Sequence, residues 1–465
     1  MHLAHRILVA MAVMAGLAGS ELEDRLDEVL IHVPAGAGVG VAVIDTADHR
    51  WLYRHAGADQ PLSLASTTKL VVATAALFQL GLDYQFSTRL VALGALKEGA
   101  LPGLGVIGGG SPCLDEHFAT GGDPEHFFSD WVAELRRRGV TRIDGDLVID
   151  NRLFSGPLRP ATYPQDADNQ QKWFSAPASA FAYNDNCIEV RLLPTSLGKP
   201  ALCELRPRSP RIPLVNQSRS GVLARPLFTR DAQSNAITAA GTCGRTPSAW
   251  FPLAMHEDPD LLSGDQLKAT LGDAGIPVSG SVRLGAVDPA AGELIADLRQ
   301  DLIPAVTLMN QHSQNFYGEQ LLRLVAVARG QEGSLEAGRS AVLAVLRERL
   351  GDGISDGMTL LDGCGLSYGN QASAATMARL LDAVQGTPLR DVLIASLKER
   401  PSLGVRGRVK TGTLAIACCL VGYLDPPGKD RYAFAILLNK GEATGLDWAP
   451  RLRDELYEAI AASLR

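Results

Sequence analysis

Residues 38–44 (Gly-Val-Gly-Val-Ala-Val-Ile) and 51–54 are short apolar runs on either side of the polar Asp45-Thr46-Ala47-Asp48, which predicts two strands joined by a turn. Helical periodicity precedes them over residues 21–33. An apolar run from Val71 to Leu80 follows Thr67-Thr68-Lys69 and stops at Gly81, the pattern of a helix with a glycine end. From Phe86 the texture changes. Short alternating segments at 88–93, 145–150 and 188–193 read as strands between Gly, Pro, Asn and Ser clusters, with one helix at about 124–138. Helical patterning returns at 260–274, followed by a strand-like stretch at 282–284. Two long helices are expected at about 305–329 and 334–349, and a third at 373–384. Residues 406–412, 417–423 and 432–438 read as three antiparallel strands, closed by a helix at 448–464.

This layout predicts an α+β chain in four stretches. Residues 1–20 read as a signal peptide, 21–84 as the first part of one domain, 85–257 as β-rich inserted domains, and 258–465 as the second part of the first domain. The signal reading rests on His2, His5 and Arg6 ahead of an apolar core, Ile7 to Leu17, and the small residues Ala18-Gly19-Ser20. An uncleaved anchor or a buried helix is the alternative. No later run is apolar for long enough to span a bilayer, so the mature chain is expected to have no stable membrane span, and its location to be periplasmic or otherwise in the cell envelope.

The formal charge of −7 leaves no basic footprint overall, which argues against a nucleic-acid partner. The seven cysteines include no CxxC pair, and the histidines show no His-x-x-x-His spacing, so neither a metal nor another cofactor is expected. An odd count leaves at least one thiol unpaired within the monomer; Cys203 and Cys243 are candidates for a bridge in an oxidising compartment.

Ser66 and Lys69 lie three apart at the start of the predicted helix, so they share a face. A serine needs a neighbouring base to act as a nucleophile at neutral pH, and a desolvated lysine supplies one. The helix N-terminus adds N–H groups suited to an oxyanion. Ser-x-x-Lys alone is common on solvated helices. Two further motifs give it meaning: Ser313-Gln314-Asn315 at a bend, and Lys410-Thr411-Gly412-Thr413 on a strand.

Ser-x-x-Lys, Ser-x-Asn and Lys-Thr-Gly in this order resemble the motif set of penicillin-binding proteins and related serine β-lactamases. Residues 61–70, 310–317 and 362–367 (Asp-Gly-Cys-Gly-Leu-Ser) resemble the D-alanyl-D-alanine carboxypeptidase/endopeptidases of the class C low-molecular-mass penicillin-binding group. That family carries extra domains between its first two motifs, where this chain has residues 70–312. The resemblance spans the mature chain and is faintest over 194–250.

It implies a transpeptidase-like antiparallel sheet flanked by helices, stem peptides of peptidoglycan as substrate, and β-lactams as covalent inhibitors. Ser66 would be the nucleophile, Lys69 its base, and Ser313 the proton relay to the leaving amine. Asn315 would hold the substrate amide. Lys410, Thr411 and Thr413 would bind the terminal carboxylate, and Gly412 would let the substrate approach the strand edge. Ser66 and Thr413 N–H groups would form the oxyanion hole. Asp150 and Phe154, in Asp-Asn-Arg-Leu-Phe, resemble an inserted-domain segment near the family's active site. The chain departs from the family at Cys364, where serine is usual, and at Tyr368, where some members have arginine. Gln314 replaces a more usual aspartate.

Other motifs read as structural. Gly353-Ile354-Ser355-Asp356-Gly357 lacks the strand of a nucleophile elbow and is expected to be a loop. Residues 103–108 match a dinucleotide fingerprint without its helix and read as a β-turn segment. Residues 183–186 read as a turn before a strand. His312 is expected to be structural, since Lys69 already serves as base. Cys418 and Cys419 should point to opposite faces of a strand as small buried hydrophobes.

Overall fold

The computed structural model describes residues 21–290, 292–429 and 431–464; the predicted signal segment lies outside them. The chain divides into two compact units. Of the described residues, one holds those from 21 to 82, 306–314 and from 339 onward; the other holds those within 83–305 and 315–338.

The first unit is built on a six-stranded antiparallel sheet. Its order is Lys398–Glu399, Arg406–Leu414, Ala417–Asp425, Tyr432–Asn439, Gly38–Asp45 and Arg50–Arg54. The strands from both chain ends meet here, Gly38–Asp45 pairing with Tyr432–Asn439 along its whole length. Alternation sorts the side chains. Val39, Val41 and Val43 face one side with Leu420, Phe434, Ile436 and Leu438, where the helix Ala449–Ser463 and helical residues 21–30 cover them through Leu452, Leu456, Ile460, Leu22 and Leu26. On the opposite side Gly40 admits the helix Ala374–Gln385; a Cβ there would lie 3.0 Å from the Ala374 methyl. The helix Thr68–Leu80 is buried at every residue from Thr68 to Leu77. A helix apolar around its circumference belongs in a core, and this one is central to its unit.

The second unit contains a five-stranded mixed sheet, in the order Val282–Leu284, Leu147–Asp150, Leu104–Ile107, Gln85–Ala92 and Glu293–Asp301. Phe128, Trp131 and Leu135 from the segment Pro124–Arg137 pack on it with Leu267 and Leu271 of the helix Pro259–Asp273. Residues 258–305 therefore group with 83–257: their helix fills this core and their two strands form both edges of this sheet. Two smaller sheets follow, one of Cys187–Leu193, Leu202–Arg206 and Phe251–Ala254, the other of four strands within residues 214–243.

The expected single helix at 305–329 is two, Leu302–His312 and Asn315–Val327. Ser313 breaks it by taking a left-handed backbone, φ +60°. Such a conformation is costly for a residue with a Cβ and persists only where the surroundings impose it. Cys203 and Cys243 are both free thiols, so the candidate bridge is absent. Instead the Cys243 thiol points at the carbonyls of Leu192 and Thr246. Residues 104–107 form a strand, and 184–186 a tight turn before Cys187–Leu193. The segment around Ser355 is a one-turn helix, Asp352–Ser355. Cys418 and Cys419 are both buried, with Cys418 in the apolar cluster and the Cys419 thiol 3.4 Å from the Ser63 carbonyl.

Candidate active site

The chain enters the Ser66 turn from a two-residue strand, Leu62–Ser63, paired with Gln371–Ala372. The Asn439 side-chain oxygen accepts the Ser63 N–H at 2.7 Å and pins the entry to the end of the central sheet. Ala65 then turns left-handed, φ +47°, and Ala65–Thr67 form a single tight turn before the helix begins at Thr68. Thr67 and Thr68 stabilise that turn by donating their hydroxyls to the carbonyls of Leu64 and Ala65 at 2.7 and 2.8 Å. Gly365 packs on the same point. A Cβ at Gly365, whose φ is +88°, would fall 1.8 Å from the Ala65 oxygen, so only glycine fits.

Lys69 is wholly buried one helical turn from Ser66. Its Nζ donates to Ser66 Oγ at 3.2 Å and to the Cys364 carbonyl oxygen at 2.6 Å. A buried amine needs such partners, because desolvation without them costs several kcal/mol (about 2–7 for a polar group). The Cys364 carbonyl is itself held by a compact loop. Asp362, fully buried, accepts from the N–H groups of Cys364, Gly365 and Ser367 at 3.1, 2.6 and 2.6 Å, and from Asn370 Nδ2 at 2.8 Å. The Asn370 Oδ1 takes the Leu361 N–H in return. The run Asp-Gly-Cys-Gly-Leu-Ser thus works through its backbone, and serine or cysteine at 364 presents the same carbonyl.

Lys410 reaches the site from the strand Arg406–Leu414 and is 1 % exposed. Its Nζ donates to Ser313 Oγ and to the Thr411 carbonyl, both at 2.8 Å. Burial pushes its ammonium well below the usual lysine range, and the charges of Lys69 and Lys398 push the same way. Gly412 is where the strand passes the Ser66 turn. A Cβ there would lie 2.7 Å from the Leu64 oxygen and 3.1 Å from the Ser66 nitrogen. The glycine expected to admit substrate therefore admits the protein's own Ser66 turn first. Thr411 is half-buried and Thr413 exposed beside it.

Ser66, Lys69, Ser313, Lys410, Thr411, Gly412 and Thr413 all belong to the first unit. There two amines each hydrogen-bond a serine hydroxyl. Such a set can deprotonate a nucleophile on one side and relay a proton on the other.

The remaining candidates lie in the second unit. Asn315 opens the helix Asn315–Val327, and its Nδ2 donates to the Phe174 carbonyl at 2.9 Å. Gln320 fastens this helix by bonding the Ser179 N–H and the carbonyls of Gly110 and Ser179. Two residues after Asn315, the Tyr317 hydroxyl donates to Asp115. Asp150 is buried; Arg152 donates to it at 2.9 and 2.7 Å, and the Val287 N–H at 3.0 Å. Burial pushes its carboxyl up, but these donors outweigh burial and hold it below the usual range. Phe154 packs its ring against Gly110 and Gly333. Asp150 and Phe154 thus find these partners within their own unit. His312 is exposed at the end of Leu302–His312, and Tyr368 is 43 % exposed.

The 362–367 run stands out in the sequence, but its role is not legible there. A buried aspartate two, three and five residues before the N–H groups it accepts is a signal of a side-chain-closed loop. That the loop's carbonyl meets Lys69, 295 positions away, is visible only in the fold.

The sequence pattern of the D-Ala-D-Ala carboxypeptidase 3 (S13) family matches residues 22–456. The D-alanyl-D-alanine carboxypeptidase of an Actinomadura species is 29 % identical over an alignment of 468 positions, gaps included, which covers 92 % of this chain and 83 % of that one. D-alanyl-D-alanine carboxypeptidase DacB of Haemophilus influenzae is 25 % identical, over 89 % of this chain and 87 % of its own. In three dimensions, penicillin binding protein 4 (dacB) of Haemophilus influenzae has the same fold, with a TM-score of 0.74 at 22 % identity, over 94 % of this chain and 99 % of that one. A second crystal structure of that protein, complexed with a β-lactam, gives a TM-score of 0.71 over the same shares at the same identity. With a match running from residue 22 to residue 456, and the paired serine–lysine contacts beneath it, the chain belongs to the D-Ala-D-Ala carboxypeptidase 3 (S13) family of serine peptidases.

Proposed function

We propose that this D-Ala-D-Ala carboxypeptidase works through an acyl-enzyme on Ser66, removes the terminal D-alanine of peptidoglycan stem peptides, and also cuts cross-bridges as an endopeptidase. The observation that carries the reading is the hydrogen bond of Lys69 Nζ to Ser66 Oγ, at 3.2 Å, from a residue with no exposure to water. Lys69, neutral in its reactive form, takes the Ser66 proton as Oγ attacks the carbonyl of the penultimate D-alanine. The oxygen gains charge against the N–H groups of Ser66 and Thr413. Ser313, bonded to Lys410, passes a proton to the departing nitrogen, so the amide breaks and D-alanine leaves neutral at its amine. Water then releases the acyl group by the same route in reverse.

Lys410, Thr411 and Thr413 hold the substrate's terminal carboxylate, and Asn315 holds its amide. A β-lactam mimics the D-Ala-D-Ala amide and acylates Ser66, but its leaving group stays tethered, so deacylation is slow. Export to the periplasm or cell envelope after loss of residues 1–20 would put the protein where such substrates occur.

The test is intact-mass spectrometry after brief exposure to penicillin. One stable adduct mapping to Ser66, absent in Ser66→Ala, is the expected result. Rapid penicillin loss with no adduct would instead make the chain a β-lactamase. Release of D-alanine from a pentapeptide, assayed beside cleavage of a cross-linked dimer, would apportion the two peptidase activities.

A further inference from the structure

We propose that the outer face of the four-stranded sheet within residues 214–243 docks this protein onto an anionic phospholipid bilayer. The sheet consists of Leu214–Asn216, Ile237–Cys243, Arg219–Ser220 and Arg225–Arg230. Its inner face is settled by burial. Ile237, Ala239 and Cys243 lie in one apolar cluster with Ile188, Val190, Leu192, Phe228 and Leu253. Thr238, Ala240 and Thr242 must then point the other way.

Residues paired across neighbouring strands share a face, so the register names what stands outside. Val215 pairs with Thr238, and Leu227 with Ala240. Arg219 and Arg225 pair with Thr242 from its two sides. The loop carrying Val222 and Leu223 is held to the same face, because Thr242 Oγ1 donates to the Leu223 carbonyl at 2.8 Å. These four aliphatic side chains are 50 % (Val215), 59 % (Val222), 64 % (Leu223) and 60 % (Leu227) exposed. Scattered exposed leucines mean nothing, but a cluster on one face marks an interaction surface.

Charge selects the partner. Residues 194–251 hold eight Lys and Arg against two Asp and Glu, net +6, in a chain whose total is −7. Arg191, Arg206, Arg208 and Arg211 are paired with carboxylates. Among the described residues, Lys199, Arg219, Arg225 and Arg245 have no carboxylate partner and are exposed. Arg219 is tied to Lys199 through its strand, since the Ser220 N–H donates to the Lys199 carbonyl.

Aliphatic side chains between unpaired cations fit a headgroup layer: the cations meet lipid phosphates while the side chains enter the acyl boundary. A second copy fits poorly, because a two-fold contact would set Arg219 and Arg225 against each other. Single-stranded nucleic acid would be gripped by stacked aromatics, and none of the four apolar residues is aromatic. The attachment is superficial, and among the described residues no helix is long and apolar enough to cross a membrane.

The experiment is co-sedimentation of the purified protein without residues 1–20 with vesicles of phosphatidylcholine alone or mixed with phosphatidylglycerol. Two variants, R219S/R225S/R245S and V222S/L223S, are run beside it, with far-UV circular dichroism and thermal unfolding to establish that each folds. Binding to the anionic vesicles only, weakened by salt, is expected. The triple variant should bind about a hundredfold more weakly and the double variant about tenfold. No binding by the parent, equal binding to neutral vesicles, or full binding by both folded variants would overturn the proposal. So would a concentration-dependent dimer in sedimentation velocity that V222S/L223S abolishes, which would make the face a contact between copies.

Discussion

The Lys69 ammonium lies 2.6 Å from the Cys364 carbonyl oxygen, a main-chain contact between a helix and a loop 295 residues further along. What the family usually places at 364 is serine, yet the group that meets the lysine is the same for either side chain. Cys364→Ser should therefore acylate with penicillin within about twofold of the parent. Asp362→Ala should not: it strands the N–H groups of Cys364, Gly365 and Ser367, at about 1–3 kcal/mol for each buried donor left unmet. Its acylation should fall at least tenfold (about 1.4 kcal/mol in barrier), and its unfolding midpoint should drop. Stopped-flow acylation and urea unfolding on the two variants check both halves.

Gly412 offers a sharper test of the site's packing. Alanine would put a methyl 2.7 Å from the Leu64 oxygen and 3.1 Å from the Ser66 nitrogen, so the strand and the Ser66 turn must part by several tenths of an ångström. A displacement approaching ~1 Å at a reacting centre can cost about a hundredfold in rate. The acylation rate constant of Gly412→Ala should fall by that order, while its circular dichroism stays that of the parent.

Lys410 should show function held at the expense of stability. Its ammonium is buried and its folded affinity for the proton is reduced, so below its folded pKa the charge destabilises the fold, and the penalty fades as pH rises toward the unfolded value of about 10.4. Lys410→Met should gain on the order of 1–3 kcal/mol at neutral pH, and the gain should shrink as pH climbs. Acylation should fall by about 10²–10³, the usual cost of deleting a preorganised charge. Urea midpoints between pH 6 and 10 (a span taken from the lysine range) and penicillin acylation read the two effects separately.

Asp260 makes the opposite titration. It is buried, accepts the Phe181 N–H at 2.7 Å, and burial lifts its carboxyl from the ordinary aspartate value to about 6. The folded state thus holds the proton longer than the unfolded state. Stability from this group is complete below the unfolded value, declines as pH rises through the folded one, and is level above. Asp260→Asn keeps an acceptor for Phe181 and removes the ionisation. Its advantage over the parent should be near zero at pH ~3, grow through pH ~6 and level off at up to about 3 kcal/mol. Paired urea titrations across that window would refute this if the difference stayed flat.

The sequence by itself determined the elements and the chemical parts. Short, nearly continuous apolar runs at 38–44, 417–423 and 432–438, and the partly alternating 406–412 beside them, placed the central strands, because a sheet covered by helices on both faces buries almost every side chain. The three motifs could be read because reactive groups need short local spacings: Ser66 and Lys69 are one helical turn apart. What only the tertiary structure decided are relations across long separations. The break at Ser313 carries no glycine or proline to announce it; its left-handed backbone is imposed by the surrounding fold. Residues 258–305 read locally as a helix and strands that could serve either unit, and their Leu267 and Leu271 were assigned only by the core they fill. The Asp362 loop looks polar on paper and is buried in fact, since four hydrogen bonds satisfy its carboxylate. Local pattern reports on neighbours a turn or a strand away; burial and close approach depend on which distant surfaces meet.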